Sequence, residues 1–237
     1  MIRVAVIGAA GRMGSAVCAA VGADPDCELV ARVGSGDSLD TVLDAGADVA
    51  VEFTVPASVK RNVAWLLERG VHTVVGATGL SDADLADLER LTGPANLFFA
   101  PNFAVGAVLA MQLAAQAARH LPRVEIIELH HDRKVDAPSG TALRTARLVA
   151  EARREAGEVP GPPDHPARGL VVDGVPVHSV RLPGVVASQE IVFGGPGQTL
   201  TIRHDCLDRS SFMPGVLLAI RQVATRPGMT VGLESLL

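Results

Sequence analysis

The stretch Met1-Ile2-Arg3-Val4-Ala5-Val6-Ile7-Gly8-Ala9-Ala10-Gly11-Arg12-Met13-Gly14 decides the fold class. Its apolar run reads as a buried strand, and glycines 8, 11 and 14 follow at once and lead into an amphipathic helix over residues 14–21. Glycine lets the backbone turn tightly and approach a pyrophosphate, while a helix N-terminus offers unpaired N–H groups and a favourable dipole. The spacing GxxGxxG is a looser variant of the GxGxxG fingerprint, and a bare glycine turn without a ligand is the alternative reading. Position favours a dinucleotide site, because the motif fills the first strand-to-helix turn of an alternating pattern. Arg12 would add positive charge over the phosphates.

Outward from this turn, short β-branched runs at residues 3–7, 29–33, 49–53, 72–75 and 97–100 alternate with helical stretches, the pattern of a parallel sheet with crossover helices. A helix over 58–68 follows Pro56, carries Val59, Val63, Leu66 and Leu67 on one face and stops at Gly70. Ser81-Asp82-Ala83-Asp84 reads as a capping sequence for the next helix. The fold class expected is therefore α/β, a Rossmann-type doubly wound parallel sheet. Its loops Phe53-Thr54-Val55-Pro56, Gly76-Ala77-Thr78-Gly79 and Ala100-Pro101-Asn102-Phe103 fall at the carboxyl ends of strands, placed to meet the nicotinamide half of a cofactor.

The choice between NADH and NADPH stays open at this point. An acidic residue at the end of the second strand would clamp the ribose hydroxyls and favour NADH. The chain has Arg32-Val33-Gly34-Ser35-Gly36-Asp37 there, so glycine stands at the strand end and Asp37 arrives late, while Arg32 would suit a 2′-phosphate.

After Asn102 the rhythm changes to an Ala-rich helix over 105–120, a strand over 124–129, a polar loop and a helix over 141–156. Residues 157–168, with Pro160, Pro162, Pro163 and Pro166, read as a surface loop without regular structure. Runs at 175–181, 189–193 and 200–204 alternate with Gly/Pro turns and suggest successive antiparallel strands rather than βαβ units. A helix over 213–224 and a short strand over 230–232 close the chain and return to the first domain. Residues 1–104 and 213–237 are thus expected to form a dinucleotide-binding domain, and 105–212 an inserted α+β domain that holds the substrate.

Composition narrows the partners. With 237 residues, 48% hydrophobic and 20% charged, the chain buries one large core or two modest ones. A net charge of −5 with scattered basic residues argues against nucleic acid, and 3% aromatic content without Tyr removes single-strand stacking platforms. No apolar run approaches the roughly 18 to 20 residues a membrane helix needs. The amino-terminal segment lacks a secretory pattern, so cytoplasmic residence is expected. Cys18, Cys27 and Cys206 stand apart, supporting neither disulfide nor metal.

The densest chemistry is Glu128-Leu129-His130-His131-Asp132-Arg133-Lys134-Val135-Asp136-Ala137-Pro138-Ser139-Gly140-Thr141-Ala142, between a strand and a helix. Adjacent histidines on extended chain point oppositely and do not chelate one metal together. Imidazole titrates near neutrality, so His130 or His131 can donate a proton, while Lys134 supplies a cation. Pro138-Ser139-Gly140-Thr141 opens the helix and offers N–H groups and hydroxyls to an anion. The expected partner is a small molecule carrying at least one carboxylate, with no metal required.

The motif ELHHDRKVDAPSGTA (128–142), preceded by GAAGRMG (8–14), GATG (76–79) and APNFAVG (100–106) and followed by IRHDCLDRSSFMPGVLLAI (202–220), resembles the dihydrodipicolinate reductase family, also called 4-hydroxy-tetrahydrodipicolinate reductase. The resemblance runs essentially from Met1 to Leu237. It implies NADH or NADPH as cofactor, a dicarboxylate substrate that loses its 4-hydroxyl as water and takes up a hydride, a homotetramer, and cytoplasmic lysine and diaminopimelate biosynthesis. It makes His130 the proton donor or acceptor, Lys134 a second proton donor and substrate cation, His131 a substrate ligand, and Ser139, Gly140 and Thr141 the carboxylate-binding turn. Gly8, Ala9, Ala10, Gly11, Arg12, Met13, Phe53, Gly76, Ala77, Thr78, Ala100, Pro101, Asn102 and Phe103 become the cofactor segments, and Arg209 a cation within reach of substrate or cofactor. Two departures stand out: Gly34 replaces a frequent acidic residue, and Ala77 replaces the middle threonine of a GTT loop.

Two other readings compete: a dehydrogenase of the same plan acting on an amino acid or semialdehyde, and a non-catalytic nucleotide sensor. The first lacks a suitably placed cysteine nucleophile. The second has no use for both His130 and Lys134.

Overall fold

The computed structural model describes residues 1–77, 79–121, 123–157 and 165–237. They divide into two compact units, Met1–Val105 with Arg209–Leu237 and Gly106–Asp208. Thr78 and the prolines 160, 162 and 163 lie outside the described residues.

The first unit is built on β1 (Ile2–Ile7), β2 (Cys27–Val33), β3 (Val49–Glu52), β4 (His72–Val75), β5 (Leu97–Phe99) and a last strand, Met229–Val231, joined by α1 (Arg12–Ala23), α2 (Asp40–Asp44), α3 (Pro56–Glu68) and α4 (Asp82–Glu89). The strands are parallel, and their order from one edge is Met229–Val231, β5, β4, β3, β1, β2. The order reverses between β1 and β3, the place where doubly wound sheets open a ligand crevice. Val4, Ala5 and Val6 on β1 and Val49, Ala50 and Val51 on β3 are all fully buried, as strands covered by helices on both faces must be.

Local chemistry explains the helices. α3 begins on Pro56, buries Val59, Val63, Leu66 and Leu67, and ends before Gly70 at φ 78°. α4 has a full capping box, the Ser81 hydroxyl accepting from Asp84 N–H and the Asp84 carboxylate accepting from Ser81 N–H. α2 was not expected from the sequence, since five residues are too few to declare a periodicity.

The second unit comprises α5 (Val105–Ala118), β6 (Arg123–His130), α6 (Gly140–Glu155), β7 (Leu170–Val172), β8 (Val175–Arg181), β9 (Ala187–Gly195) and β10 (Gln198–Cys206). Its sheet order is β10-β9-β6-β8-β7. β9 pairs antiparallel with both β6 and β10, and β7 with β8, but β6 and β8 run parallel. This corrects the expectation of antiparallel strands alone. The 16-residue α6 is long enough to serve as the crossover that a parallel pair demands. A second correction concerns 157–168: Pro166–Arg168 forms a turn of 3-10 helix, with proline at a first-turn position where its missing N–H costs nothing. β7, only three residues long, also went unread.

One face of this sheet packs Val124 and Ile126 of β6, Val175 and Val177 of β8 and Ile191 and Phe193 of β9 against alanines 110, 114 and 118 of α5 and 142, 146 and 150 of α6. The other face carries Glu125 and Ile127 of β6 and Glu190 and Val192 of β9, half-buried. The carboxyl-terminal helix α7 (Met213–Val223) belongs to the first unit, and the strand after it, β11 (Met229–Val231), pairs with β5.

Candidate active site

The glycine motif folds as a cradle that side chains would fill. Gly8 sits at φ 80°, where L residues are strained, and a Cβ there would lie 2.8 Å from the Phe53 carbonyl oxygen. A Cβ on Gly14 would lie 2.1 Å from the Gly8 carbonyl oxygen. Gly11, the N-cap of α1, has no side chain with which to cap the helix, so the first-turn N–H groups face outward uncapped. A cleft of about 830 Å³ opens here, lined at the ends of β1, β2 and β3 by Gly8, Ala10, Gly11, Gly34, Phe53 and Thr54, and by Arg61 and Trp65 of α3. These residues fit an elongated ligand bearing phosphates.

Ala9, Arg12 and Met13 belong to the same turn but do not line the cleft, and Arg12 points to solvent. Arg32, likewise exposed, is not part of the lining. The loops after β3, β4 and β5 converge on an aromatic pair: the Phe53 and Phe103 rings lie 6.0 Å apart, and Gly76 sits so close that a Cβ would fall 2.2 Å from Phe53 Cε1. Ala77 and Ala100 are buried beside them, Pro101 is exposed, and Asn102 Oδ1 accepts from Ala104 N–H at 2.8 Å. Beneath the cleft, the fully buried Glu52 accepts from Thr54 N–H at 2.7 Å and from Asn62 Nδ2 at 3.1 Å. Burial pushes its carboxyl pKa up, against the pull of those hydrogen bonds.

In the second unit, alternation along β6 puts Glu128 and His130 on one face. His130 Nδ1 meets Glu128 Oε2 at 2.5 Å, and Arg181, directly opposite His130 on β8, clamps both oxygens of the same carboxylate at 2.8 and 2.9 Å. Glu128 also accepts from Ser139 N–H at 3.3 Å. Burial pushes its pKa up, but hydrogen bonds from Arg181, Ser179 and His130 outweigh that and leave it lowered. An ionised carboxylate only accepts, so Nδ1 of His130 carries the hydrogen and Nε2 is the nitrogen that exchanges a proton. The His130 pKa is lowered, by burial first, with Glu128 pulling it up and Lys134 and Arg181 pushing it down.

Lys134 follows on the loop, its Nζ 2.7 and 2.8 Å from the two Asp136 oxygens, while Arg181 holds the Asp136 carbonyl at 2.6 Å. Asp136 is lowered by its bond to Lys134. His131 turns the other way, and its Nδ1 is buried with no hydrogen-bond partner among the described residues. Ser139 is buried and caps α6, its hydroxyl accepting from Ala142 N–H at 3.2 Å, so it is not the exposed hydroxyl expected from the sequence. Gly140 is exposed with open space around it, and Thr141 passes its carbonyl to Thr145. Arg209 opens a 3-10 turn in the first unit and is exposed.

Residues 2–103 match the family model described as dihydrodipicolinate reductase, N-terminus, and residues 106–237 match its C-terminus. The chain belongs to the dihydrodipicolinate reductase family. It is 54% identical to the 4-hydroxy-tetrahydrodipicolinate reductase of Streptomyces griseus and 55% identical to that of Nocardia farcinica, each match covering 100% of this chain and 98% of the relative. Its structure matches a dihydrodipicolinate reductase from Paenisporosarcina sp., described with dipicolinate bound, at TM-score 0.88 and 39% identity over 100% of both chains. An amine dehydrogenase from Mycobacterium smegmatis, at TM-score 0.61 and 14% identity, shares the fold alone. Reductases of this family are NAD(P)H-dependent and act in lysine and diaminopimelate biosynthesis, so the chain is read as an oxidoreductase and not as a sensor.

Two residues of this reductase's histidine site escaped sequence reasoning. Glu128 stood in the quoted motif without a role, and Arg181 stood 51 residues beyond His130 with no local signal. Only the parallel pairing of β6 with β8 puts Arg181 opposite His130.

Proposed function

We propose that this chain catalyses the NAD(P)H-dependent reduction of 4-hydroxy-tetrahydrodipicolinate to tetrahydrodipicolinate with loss of water. The observation that carries the reading is one loop with two roles: His130 anchored through Nδ1 on a buried carboxylate, and Lys134 four residues on. The domain with the glycine cradle, 1–104 and 213–237, binds the dinucleotide, with residues 8–13 at the pyrophosphate and Phe53, Gly76–Thr78 and Ala100–Phe103 at the nicotinamide half. When bound, the reduced nicotinamide supplies the hydride. Residues 105–212 bind the substrate. His130 gives or takes the proton at Nε2, and its lowered pKa makes the imidazolium a stronger acid. Lys134 leaves Asp136 for a substrate carboxylate, His131 offers its unpaired Nδ1, and Gly140 and Thr141 present N–H groups at the start of α6, with Ser139 holding that turn in place.

The half-buried face of the second sheet, with Ile127 and Val192 among Glu125 and Glu190, supports assembly into a homotetramer through that face. Among the described residues no helix is long and apolar enough to cross a membrane. The biosynthetic role supports residence in the cytoplasm.

The Paenisporosarcina protein's ligand supplies the test. Pyridine-2,6-dicarboxylate, a planar dianion, should bind the wild type in calorimetry with cofactor present and lose at least about tenfold in affinity in Lys134→Ala. Absence of binding to the wild type would reject the substrate reading.

A further inference from the structure

The end of β2 holds an acid that the strand itself lacks. Gly34, the first residue past β2, donates its N–H to Asp37 Oδ2 at 2.7 Å, and Asp37 N–H returns to the Gly34 carbonyl at 3.4 Å. The turn is thus closed twice between the same two residues. A Cβ built on Gly34 would lie 3.3 Å from Asp37 Oδ2, so the Asp37 carboxylate reaches the space that a side chain at position 34 would enter. Its other oxygen, Oδ1, makes no hydrogen bond among the described residues, and Asp37 lines the same cleft as Gly8 and Gly11. Asp40 also lines it, against one cation, Arg61.

We propose that Asp37, folded back onto Gly34, is the acceptor for the adenosine ribose hydroxyls and makes this chain select NADH over NADPH. The inference rests on the reading of this cleft as the dinucleotide site. A carboxylate at the end of the second strand accepts hydrogen bonds from a ribose diol and repels a 2′-phosphate. Here the turn 34–37 delivers that carboxylate from three residues downstream. Two carboxylates against a single exposed guanidinium leave the lining with a negative balance, which disfavours the additional phosphate of NADPH.

Binding, not turnover, is the direct readout. Trp65 is the only tryptophan and lines this cleft, so its fluorescence reports occupancy by either reduced dinucleotide. We expect the wild type to bind NADH at least about tenfold more tightly than NADPH, the scale of a charged hydrogen bond. Asp37→Asn keeps an acceptor for the Gly34 N–H while removing the charge, and should lower the NADH-to-NADPH affinity ratio about fivefold or more. Gly34 is not at positive φ, so the double variant Asp37→Ala with Gly34→Asp places the acid on the strand end itself and should restore the preference. A wild type that binds NADPH as tightly as NADH, or an affinity ratio unchanged in Asp37→Asn, would overturn the role of Asp37 while leaving the dinucleotide site intact. Binding of neither dinucleotide by the wild type would overturn the reading of the cleft and this inference with it.

Discussion

His130 and Glu128 stand two residues apart on β6, and the imidazole Nδ1 meets the fully buried carboxylate at 2.5 Å while Arg181 holds that carboxylate from β8. Three charged or chargeable groups therefore form one unit in which the carboxylate fixes both the ring's orientation and its tautomer. Glu128 is also the element of the unit that keeps the His130 pKa from falling further.

Glu128→Gln tests that dependence. Loss of the carboxylate removes the one partner that raises the His130 pKa, so the limb of the kcat/KM profile that requires protonated His130 should move to lower pH. Activity at pH 7.5 should fall at least about tenfold, as when the carboxylate partner of a catalytic histidine is neutralised. The half-buried Arg181 would lose its counter-ion, costing about 1.5–3 kcal/mol in urea unfolding. An unmoved pH profile would mean that Glu128 serves packing alone.

Lys134 is held by Asp136 and must exchange that carboxylate for a substrate's. Asp136 is exposed, and an exposed ion pair is worth about 0–1 kcal/mol. Asp136→Asn removes the internal competitor and should tighten pyridine-2,6-dicarboxylate binding by about threefold in calorimetry. Weaker binding would show instead that Asp136 positions the lysine.

Two glycines in α1 should behave oppositely. Gly14 has backbone 2.1 Å from its would-be Cβ, whereas Gly22 has nothing within 4 Å. Gly14→Ala should destabilise by more than about 2 kcal/mol and weaken dinucleotide binding. Gly22→Ala should stabilise by about 0.5 kcal/mol through helix propensity and leave binding unchanged. Chemical denaturation of both variants, with dinucleotide titration, decides it; similar effects of the two would refute the cradle geometry.

Glu52 carries a pH signature of its own. Its folded-state pKa is raised, so the folded chain holds this proton more tightly than the unfolded chain does. The group's contribution is most favourable below its unfolded pKa of about 4.3 and is lost as pH rises through the folded value. Glu52→Gln removes the titration, with Asn62 turning its amide to match. The stability of the variant relative to wild type should therefore be more favourable at pH 8 than at pH 4 in urea unfolding. A difference independent of pH would mean that folding leaves the Glu52 pKa where the unfolded chain has it.

The first unit was the more legible half of the molecule because its signals are local. The run 2–7, the glycines that follow it and the caps at Pro56, Gly70 and Ser81 each declare a boundary within a few residues, and β4 falls at 72–75 as read. The second unit depends on pairings between distant segments. Strand periodicity gives no direction, so the parallel partnership of β6 with β8, and with it Arg181, was invisible. The chemistry-bearing loop at 128–142 was legible as a density of residue types, but the capping use of the Ser139 hydroxyl depends on how the folded turn presents it to Ala142 N–H. The return of the Asp37 side chain to Gly34 was hidden for a related reason, since distance along the chain from the strand end gives no sign of a side chain that folds back to it.

The most direct test of the account is turnover: oxidation of NADH and of NADPH on addition of freshly generated 4-hydroxy-tetrahydrodipicolinate, with wild type and His130→Ala. The account predicts substrate-dependent oxidation by the wild type and a fall in kcat of about 10²- to 10⁴-fold in the variant, with dinucleotide affinity unchanged. A wild type that oxidises neither cofactor would contradict the assigned reaction, and a variant that turns over normally would contradict the assigned proton donor.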